Sequence, residues 1–286
     1  MDNSPFSEDF VAEVLDACVC PLCHSKLNFV DSQFTCRRCN SVFSNTSGIP
    51  MFINQKMQSA KIQHLSQLYD RASFKYKDRP QSCGYSGNIG FYSRLSILKK
   101  WFNFEQVQGL KILDIGCGAG LLTENLVKQN IIWGVDISPA LVTIARQKGL
   151  KAILSSADLL PFKTDDFDIV LCVGVISYYK KPGKIISEIC RTTKPKGKIV
   201  VSSSANSYLI RFVRFIKNAL GINSQLEHLY CYEEIEQLLK SEGMHIEDSC
   251  IGYNDNIWSF SNGPMNFKQK LFGRSVAVLC SAQPIS

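Results

Sequence analysis

Apolar segments alternate with helical ones from Lys111 onward, and this alternation constrains the fold more than any other feature of the sequence. The apolar segments are KILDIG, IIWGVDIS, KAILSS, DIVLCVGVIS and KGKIVVSSS. Because they are apolar almost throughout, rather than at every second position, each is typical of a strand covered on both faces. Strands joined by helices form right-handed βαβ crossovers, so the sequence predicts a mainly parallel sheet with helices on both faces.

The helices predicted between these strands are LLTENLVKQN, PALVTIARQKG and PGKIISEICRTTKP. After Ser204 the alternation stops: residues 206–222 predict a basic, apolar helix, and YEEIEQLLKSEG predicts another. HIEDSCIGYN and SVAVLCSAQ are the last two predicted strands, which brings the total to seven. Ahead of the first strand, residues 56–105 predict helices around a central loop. The predicted fold class is therefore α/β and Rossmann-like, with a seven-stranded sheet.

A glycine-rich loop follows the first of these strands, in the order Asp114, Gly116, Gly118 and Gly120. The spacing is GxGxG, whereas dinucleotide-binding folds use GxGxxG. The acid directly before the loop would repel a pyrophosphate, but it can accept hydrogen bonds from the cationic end of an amino acid. S-adenosylmethionine (SAM) carries an α-ammonium and a sulfonium and no phosphate. The charges therefore favour SAM over NAD as the cofactor.

Two further carboxylates follow the next two strands. Asp136 is placed to accept hydrogen bonds from ribose hydroxyls, and Asp158 from an adenine amino group. The glycine loop, these two acids and the Pro-Phe and Phe-Asp pairs of residues 161–168 resemble, as an ordered set, the class I SAM-dependent methyltransferases of the type 11 branch. The resemblance covers about residues 69–204.

The resemblance implies which residues hold the cofactor. The methionine part would meet Asp114, Gly116, Gly118, Gly120 and Val173; the ribose would meet Asp136 and Ile137; and the adenine would meet Ala157 and Asp158. It also implies a methyltransferase domain over residues 56–286, in which residues 56–105 form a helical lid and residues 206–232 an insert.

Four of the twelve cysteines form two CxxC pairs, Cys20 with Cys23 and Cys36 with Cys39. Two such pairs make a closed tetrahedral site for Zn²⁺, and with every position filled by thiolate the metal would be structural. The stretch also has a CPxC opening and a closing Gly-Ile-Pro, and it resembles the Trm112-like zinc ribbons. Residues 1–55 are therefore predicted to form a zinc ribbon in front of the catalytic domain.

The catalytic base, if there is one, is unknown from the sequence, and the two candidates are Tyr178 and His228. The segment after the fourth strand reads VISYY and lacks the Pro-Pro-Tyr motif of enzymes that methylate amino groups of DNA bases, so no DNA partner is expected. Tyr178 lies where substrate meets cofactor, as an aromatic wall or as a polar group. The ordinary pKa of His228, about 6.5, suits a base, although a structural hydrogen bond is the favoured interpretation.

Charge and hydropathy bear on the partners. The net charge is +7; residues 1–55 hold six acids and three bases, whereas residues 56–100 hold nine bases and two acids. A small-molecule acceptor is the favoured hypothesis. The alternative is an rRNA or tRNA base methyltransferase resembling the zinc-ribbon guanine-N1 enzymes, and a non-enzymatic SAM-binding scaffold is a third.

The helix predicted over residues 206–222 has three interpretations: a lid that roofs the acceptor pocket, which is favoured, a peripheral membrane contact, or an RNA patch. No apolar run is long enough for a transmembrane segment. The first residues also lack the features of a signal peptide, so a cytoplasmic protein is expected.

Overall fold

The computed structural model describes residues 8–46, 48–53, 60–85, 88–103, 106–204, 208–220, 228–254, 257–260 and 275–282. The α-helices of this part are α1 (Glu8–Ala17), α2 (Ala60–Tyr76), α3 (Asn88–Phe102), α4 (Pro139–Gln147), α5 (Gly183–Thr192), α6 (Tyr208–Ala219) and α7 (Tyr232–Ser241). Three 3₁₀ turns lie at Pro80–Cys83, Glu124–Leu126 and Ile176–Tyr178.

The strands fall into a small N-terminal group and a large sheet. The small strands are β1 (Asn28–Val30), β2 (Gln33–Thr35), β3 (Val42–Phe43), β4 (Asn45–Thr46) and β5 (Ile49–Pro50). The large sheet contains β6 (Lys111–Ile115), β7 (Ile131–Asp136), β8 (Lys151–Leu154), β9 (Phe167–Val173), β10 (Thr193–Ser204), β11 (Met244–Asn254), β12 (Ile257–Phe260) and β13 (Ser275–Ala282).

The large sheet has the order β12-β11-β13-β10-β9-β6-β7-β8. The five strands from β10 to β8 run parallel, and β13, β11 and β12 pair antiparallel at the other end. All seven predicted strands are present, which confirms the Rossmann-like fold, and β12 adds an eighth strand that we did not predict. The parallel strands end at one edge of the sheet, where open α/β sheets bind ligands.

The sheet separates two buried cores. Along β9 and β10, Val170 and Val201 face one core, whereas Leu171 and Val200 face the other. The first core contains apolar residues of α1, α5 and α7, and the second contains those of α3 and α4. Because both faces are covered, the strands have no polar side, which explains their continuous apolar sequences.

The helix predicted over residues 121–130 is wrong. This segment forms successive turns with one 3₁₀ turn, in which Thr123 and Leu126 donate their N–H groups to carbonyls three residues back. The buried Thr123 hydroxyl donates to Asp114, and the Asn130 side chain bonds the backbone of Val107 and Leu110. These tertiary hydrogen bonds hold the segment in tighter turns than an α-helix allows.

The N-terminal module, which comprises the described residues 8–46 and 48–53, packs onto the β8 edge of the large sheet. The N–H of Val19 donates to the carbonyl of Pro161 at 2.9 Å, and the N–H of Phe52 donates to the carbonyl of Leu154 at 2.8 Å. Met51 also pairs in parallel with Leu154, the last residue of the edge strand β8. The module therefore covers an edge that would otherwise expose unpaired backbone groups.

None of the described helices has the length and apolar content needed to cross a bilayer.

Candidate active site

A cavity of about 550 Å³ opens at the carboxyl ends of the parallel strands. Seven of the residues singled out from the sequence line it: Gly116, Gly118, Asp136, Ile137, Ala157, Val173 and Tyr178. The opposite wall comes from the segment before the sheet, through Ile62, Leu65, Tyr69, Cys83, Gly84, Tyr85 and Arg94. The volume lies within the range of small-molecule and cofactor sites.

The glycine loop leaves no room for side chains. Gly116 and Gly118 have φ angles of +70° and +53°, in the left-handed region that favours glycine. A Cβ on Gly116 would lie 2.3 Å from a methyl carbon of Val175, and one on Gly118 would lie 2.6 Å from the sulfur of Cys83. Gly120 instead packs beside Leu150, away from the cavity. The first two glycines therefore bring bare backbone to the cavity wall.

The carboxylate that reaches the cavity is that of Asp136. It accepts the N–H of Gly118 at 2.9 Å and that of Ser138 at 3.0 Å, so it ties the glycine loop to the next strand end. Burial raises the pKa of Asp136, and the backbone N–H groups that it accepts oppose this shift. These donors stabilise the anionic form, which is the form that accepts hydrogen bonds from hydroxyl groups.

Asp114 lies beneath the loop and does not line the cavity. Its side chain is buried and accepts the hydroxyl of Thr123 at 3.0 Å. Burial raises the pKa of Asp114 to about 7, and the Thr123 hydrogen bond partly offsets the rise. The two acids of the motif therefore differ: Asp136 faces the cavity, and Asp114 supports the loop from below.

The third strand end places Ser155 and Ala157 in the cavity wall, while Asp158 accepts the hydroxyl of Ser156 and is not part of the wall. The hydroxyl of Tyr179 lies 3.3 Å from that of Ser156. Burial raises the pKa of Tyr179 to about 12, so this phenol stays neutral. This end of the cavity is thus lined by small side chains and one neutral phenol.

Helix α2 lies over the cavity and is tied to it by three side chains. The hydroxyl of Tyr69 is hydrogen bonded to that of Tyr178, and Ser66 donates its hydroxyl to the carbonyl of Ile137 at 2.8 Å. Asp70 accepts the Ser138 hydroxyl at 2.5 Å and the Ala140 N–H at 3.2 Å. Helix α2 is therefore hydrogen bonded, through Ser66 and Asp70, to the loop that follows Asp136.

The two tyrosines of this contact, Tyr69 on α2 and Tyr178 in the turn after β9, are uncharged hydrogen-bonding groups. Burial raises the pKa of both Tyr69 and Tyr178. A phenol whose pKa is raised keeps its proton at neutral pH, so neither is suited to act as a free phenolate base. Each can still donate or accept one hydrogen bond inside the cavity.

Sequence reasoning missed Cys83 and Arg94. The sulfur of Cys83 accepts the N–H of Ala119 at 3.3 Å, which places it directly on the glycine loop. The Arg94 guanidinium lies 5.2 Å from the centre of the Tyr85 ring and brings a cation to the cavity wall. Neither residue belongs to a local motif, and only the fold of the segment before the sheet brings them to the site.

The other catalytic candidate, His228, is not among the residues that line the cavity. Its backbone N–H donates to the carbonyl of Ser177 at 3.2 Å, and its Nε2 lies 3.3 Å from a carboxylate oxygen of Glu234. Its ring also packs edge-on to that of Tyr230. These contacts match the structural interpretation of this histidine better than a role as a base.

The four cysteines of the N-terminal module converge. The sulfurs of Cys20 and Cys39 lie 3.5 Å apart, those of Cys23 and Cys36 lie 3.4 Å apart, and all four sulfurs are within 4.8 Å of one another. Sulfurs about 2.3 Å from a tetrahedral Zn²⁺ would be separated by about 3.8 Å. The donor set therefore fits one zinc ion, with no position left for a water molecule.

Comparisons with known proteins agree with this geometry. Residues 113–201 match the methyltransferase domain family. A ubiquinone biosynthesis O-methyltransferase of Xylella fastidiosa is 28% identical over 157 residues, which is 50% of this chain and 63% of that protein. An uncharacterised protein of Methanocaldococcus jannaschii is 38% identical over 127 residues, 44% of this chain and 60% of that protein. The match thus spans less than two thirds of either relative.

Solved structures share the fold. Magnesium protoporphyrin IX methyltransferase of Synechocystis, with bound S-adenosylhomocysteine, aligns with a TM-score of 0.59 at 16% identity, over 77% of this chain and 99% of that chain. A SAM-dependent methyltransferase of Thermotoga maritima aligns with a TM-score of 0.56 at 19% identity, over 78% of this chain and 99% of that chain. Residues 113–201 thus match the methyltransferase domain family, and the chain has the Rossmann-like fold of these solved structures, with a four-cysteine module ahead of it.

Proposed function

We propose that this protein is a SAM-dependent methyltransferase that acts on a small-molecule acceptor. The observation that carries the proposal is the Asp136 carboxylate, which lines the cavity beside the bare backbone of Gly116 and Gly118. An anionic acceptor of hydrogen bonds next to an uncharged backbone cradle suits a nucleoside with a positively charged side chain. An acid at this strand end also holds the ribose of dinucleotides, so the preference for SAM over a dinucleotide is supported by the GxGxG spacing of the loop and by the methyltransferase match over residues 113–201.

The assignment of residues to the cofactor follows the geometry. Asp136 and Ile137 would hold the ribose, Ala157 the adenine, and Gly116, Gly118 and Val173 the methionine part. Asp114, Gly120 and Asp158 do not line the cavity; they would support the residues that do. Arg94 is proposed to attract the carboxylate of the methionine part, since it brings a cation to the cavity wall.

Bound SAM would supply an activated methyl group on a sulfonium. The protein would contribute orientation and exclusion of water, which account for much of the acceleration of an in-line displacement. Tyr69 and Tyr178, hydrogen bonded to each other, would orient a polar group of the acceptor. Because both phenols are neutral, the acceptor would have to be nucleophilic itself, or would lose its proton to water or to another base.

A small acceptor fits the enclosed position of Tyr178 between helix α2 and the sheet. Relatives named for O-methylation in ubiquinone biosynthesis support this class, although the acceptor and the methylated atom are not fixed by them. The second candidate is an rRNA or tRNA base methyltransferase. It is supported by the excess of lysine and arginine over acidic residues within residues 56–100.

Calorimetry and transfer of labelled methyl groups test the proposal. We expect SAM and S-adenosylhomocysteine to bind, and NAD to give no heat. Tritiated methyl from SAM, incubated with fractionated extract, should enter small organic compounds. Label in RNA, with binding that weakens steeply as salt increases, would establish the alternative instead. Binding of NAD without S-adenosylhomocysteine would disprove both.

We further propose that residues 1–55 form a structural zinc ribbon held by Cys20, Cys23, Cys36 and Cys39. A module this small buries too little core to fold unaided, so the metal would supply much of its stability. We expect one zinc per chain, lost in Cys36→Ser, with hydrogen exchange rising first over residues 18–53. Cys190→Ser, which changes a half-buried thiol outside the cluster, is the matched control. Full zinc content in Cys36→Ser would refute the four-thiolate site.

A further inference from the structure

Helix α6 presents a row of large apolar side chains to solvent. Phe212 is 61% exposed and Phe215 70% exposed, and Tyr208 and Ile216 are also exposed. The lid interpretation of the sequence expected this apolar face to roof the acceptor pocket. Among the described residues, the cavity lining includes none from α6, and the apolar side chains named above are themselves exposed. Side chains of this size and exposure on one helix mark an interaction surface.

The charges of the same helix are all of one sign. Its sequence contains Arg211, Arg214 and Lys217 and no acidic residue, and Arg211 is exposed. Basic residues three positions apart, among aromatic and aliphatic ones, are the composition of helices that lie in the plane of a membrane interface. An anionic surface with an apolar layer beneath it complements both features at once.

The helix is anchored at the cavity. Ser204, which lines the cavity, precedes the start of α6 by four residues. After the helix the chain returns to the same place: the N–H of Tyr230 donates to the carbonyl of Ser204 at 3.3 Å, and the N–H of His228 donates to that of Ser177 at 3.2 Å. Both ends of the insert are therefore pinned beside Tyr178, so whatever α6 binds is held next to the cavity.

We propose that α6 is a membrane-docking helix that inserts its exposed aromatic side chains into a bilayer containing anionic phospholipid. Docking of this kind would hold the cavity at the lipid surface. If the protein methylates small molecules, an inference that rests on the proposed function, its acceptor would then be an apolar compound that resides in the bilayer. The docking itself depends only on α6.

Two other occupants compete for this surface. A second copy of the chain would have to bring acidic groups against Arg211 and an apolar patch against the phenylalanines. The phosphates of an RNA strand would match the basic side chains. The strand would leave Phe212 and Phe215 largely in water unless nucleobases stacked on them. The lipid interface is the one surface that covers the apolar residues and neutralises the basic ones without a further specific contact.

Sedimentation with lipid vesicles tests the proposal on the full, ligand-free chain. We expect binding to phosphatidylcholine vesicles that contain phosphatidylglycerol, and much weaker binding to vesicles of phosphatidylcholine alone. The double variant Phe212→Ser/Phe215→Ser should bind at least about tenfold more weakly, and Arg211→Gln roughly fivefold more weakly. Phe74→Ser removes a phenylalanine that is 81% exposed on helix α2 and is the matched control, which should bind as the unchanged protein does.

Insertion into the bilayer is checked with a tryptophan at position 215 on α6 and, as the control, with one at position 74 on α2. The fluorescence of Phe215→Trp should be quenched by brominated lipid, and that of Phe74→Trp should not. Because neither residue lines the cavity, SAM binding should remain unchanged in all of these variants, and failure of the docking is thereby separated from failure of the proposed function. Vesicle binding that survives in the double variant would overturn the proposal. So would loss of self-association or of RNA binding, rather than of vesicle binding, in that variant.

Discussion

The two sides of the cavity are built in different ways. On the sheet side, the loops after β6, β7 and β8 follow one another in sequence and are held by backbone groups, such as the N–H of Gly118 on Asp136. On the side of helix α2, side chains from distant segments meet: Tyr69 of α2 and Tyr178, in the turn after β9, are 109 positions apart. The sheet side therefore depends on local sequence, whereas the α2 side depends on how segments far apart in the chain pack together. Substitutions on either side of the cavity should separate these two kinds of construction.

The largest effect is expected at Asp136. Asp136→Ala removes the carboxylate and leaves the N–H groups of Gly118 and Ser138 without their acceptor. Loss of charge-assisted hydrogen bonds of this kind costs about 3 kcal/mol, so we expect SAM affinity to fall about 100-fold by calorimetry. Asp136→Asn keeps one acceptor oxygen and should lose less. Equal SAM affinity in the alanine variant and the unchanged protein would contradict a site centred on this carboxylate.

A second substitution tests where the two sides touch. Gly118→Ala places a Cβ against the sulfur of Cys83, at a residue with a positive φ angle. We expect the binding free energy of SAM to weaken by about 2 kcal/mol, which is a roughly 30-fold higher dissociation constant. Gly109→Ala is the control for backbone strain, because Gly109 has a φ of +71° with no atom within 4 Å of the added carbon. Adding Cys83→Ala to Gly118→Ala should restore part of the affinity. No recovery would mean that the backbone angle alone, and not the contact, sets the loss.

The attachment of helix α2 to the loop after β7 is expected to have a smaller effect, measured in the free energy of unfolding. A double-mutant cycle with Asp70→Ala and Ser138→Ala should give a coupling energy of about 1.5 kcal/mol in unfolding free energy, because the Asp70 carboxylate accepts the Ser138 hydroxyl. The pair Asp16→Ala and Ser138→Ala, whose side chains do not interact, should show no coupling beyond error. A coupling energy near zero for Asp70 and Ser138 would mean that helix α2 is held by its other contacts.

The smallest effect concerns pH. The folded protein keeps a proton on Asp114 up to about pH 7, whereas the unfolded chain loses it near the ordinary value of 3.8. The folded state binds the extra proton in this window, so the contribution of Asp114 to stability falls as pH rises from about 4 to about 7. We expect Asp114→Asn to remove this fall, which amounts to about 1 kcal/mol between pH 6 and 7, as measured by denaturant unfolding. Asp16→Asn, at an exposed site, should leave the pH profile unchanged.

The sequence predicted the strands well because their apolar side chains are dictated by burial on both faces, a local property of each segment. It failed at residues 121–130, where helical periodicity is present but the hydroxyl of Thr123 is bound by Asp114. It also failed to find β12, which lies at the antiparallel edge of the described sheet and pairs with β11. In both cases the outcome depends on a neighbour that periodicity does not reveal.

The four-cysteine cluster, the glycine loop and Asp136 were determined by the sequence alone, because each is set by spacing along a few residues: a CxxC turn aims two sulfurs at one point, and a strand end fixes the residue after it. Only the tertiary structure decided that Asp114 lies beneath the loop, that Cys83 and Arg94 reach the cavity, and that the aromatic side chains of α6 face solvent. Those outcomes follow from packing between segments far apart in the chain, which no local pattern encodes.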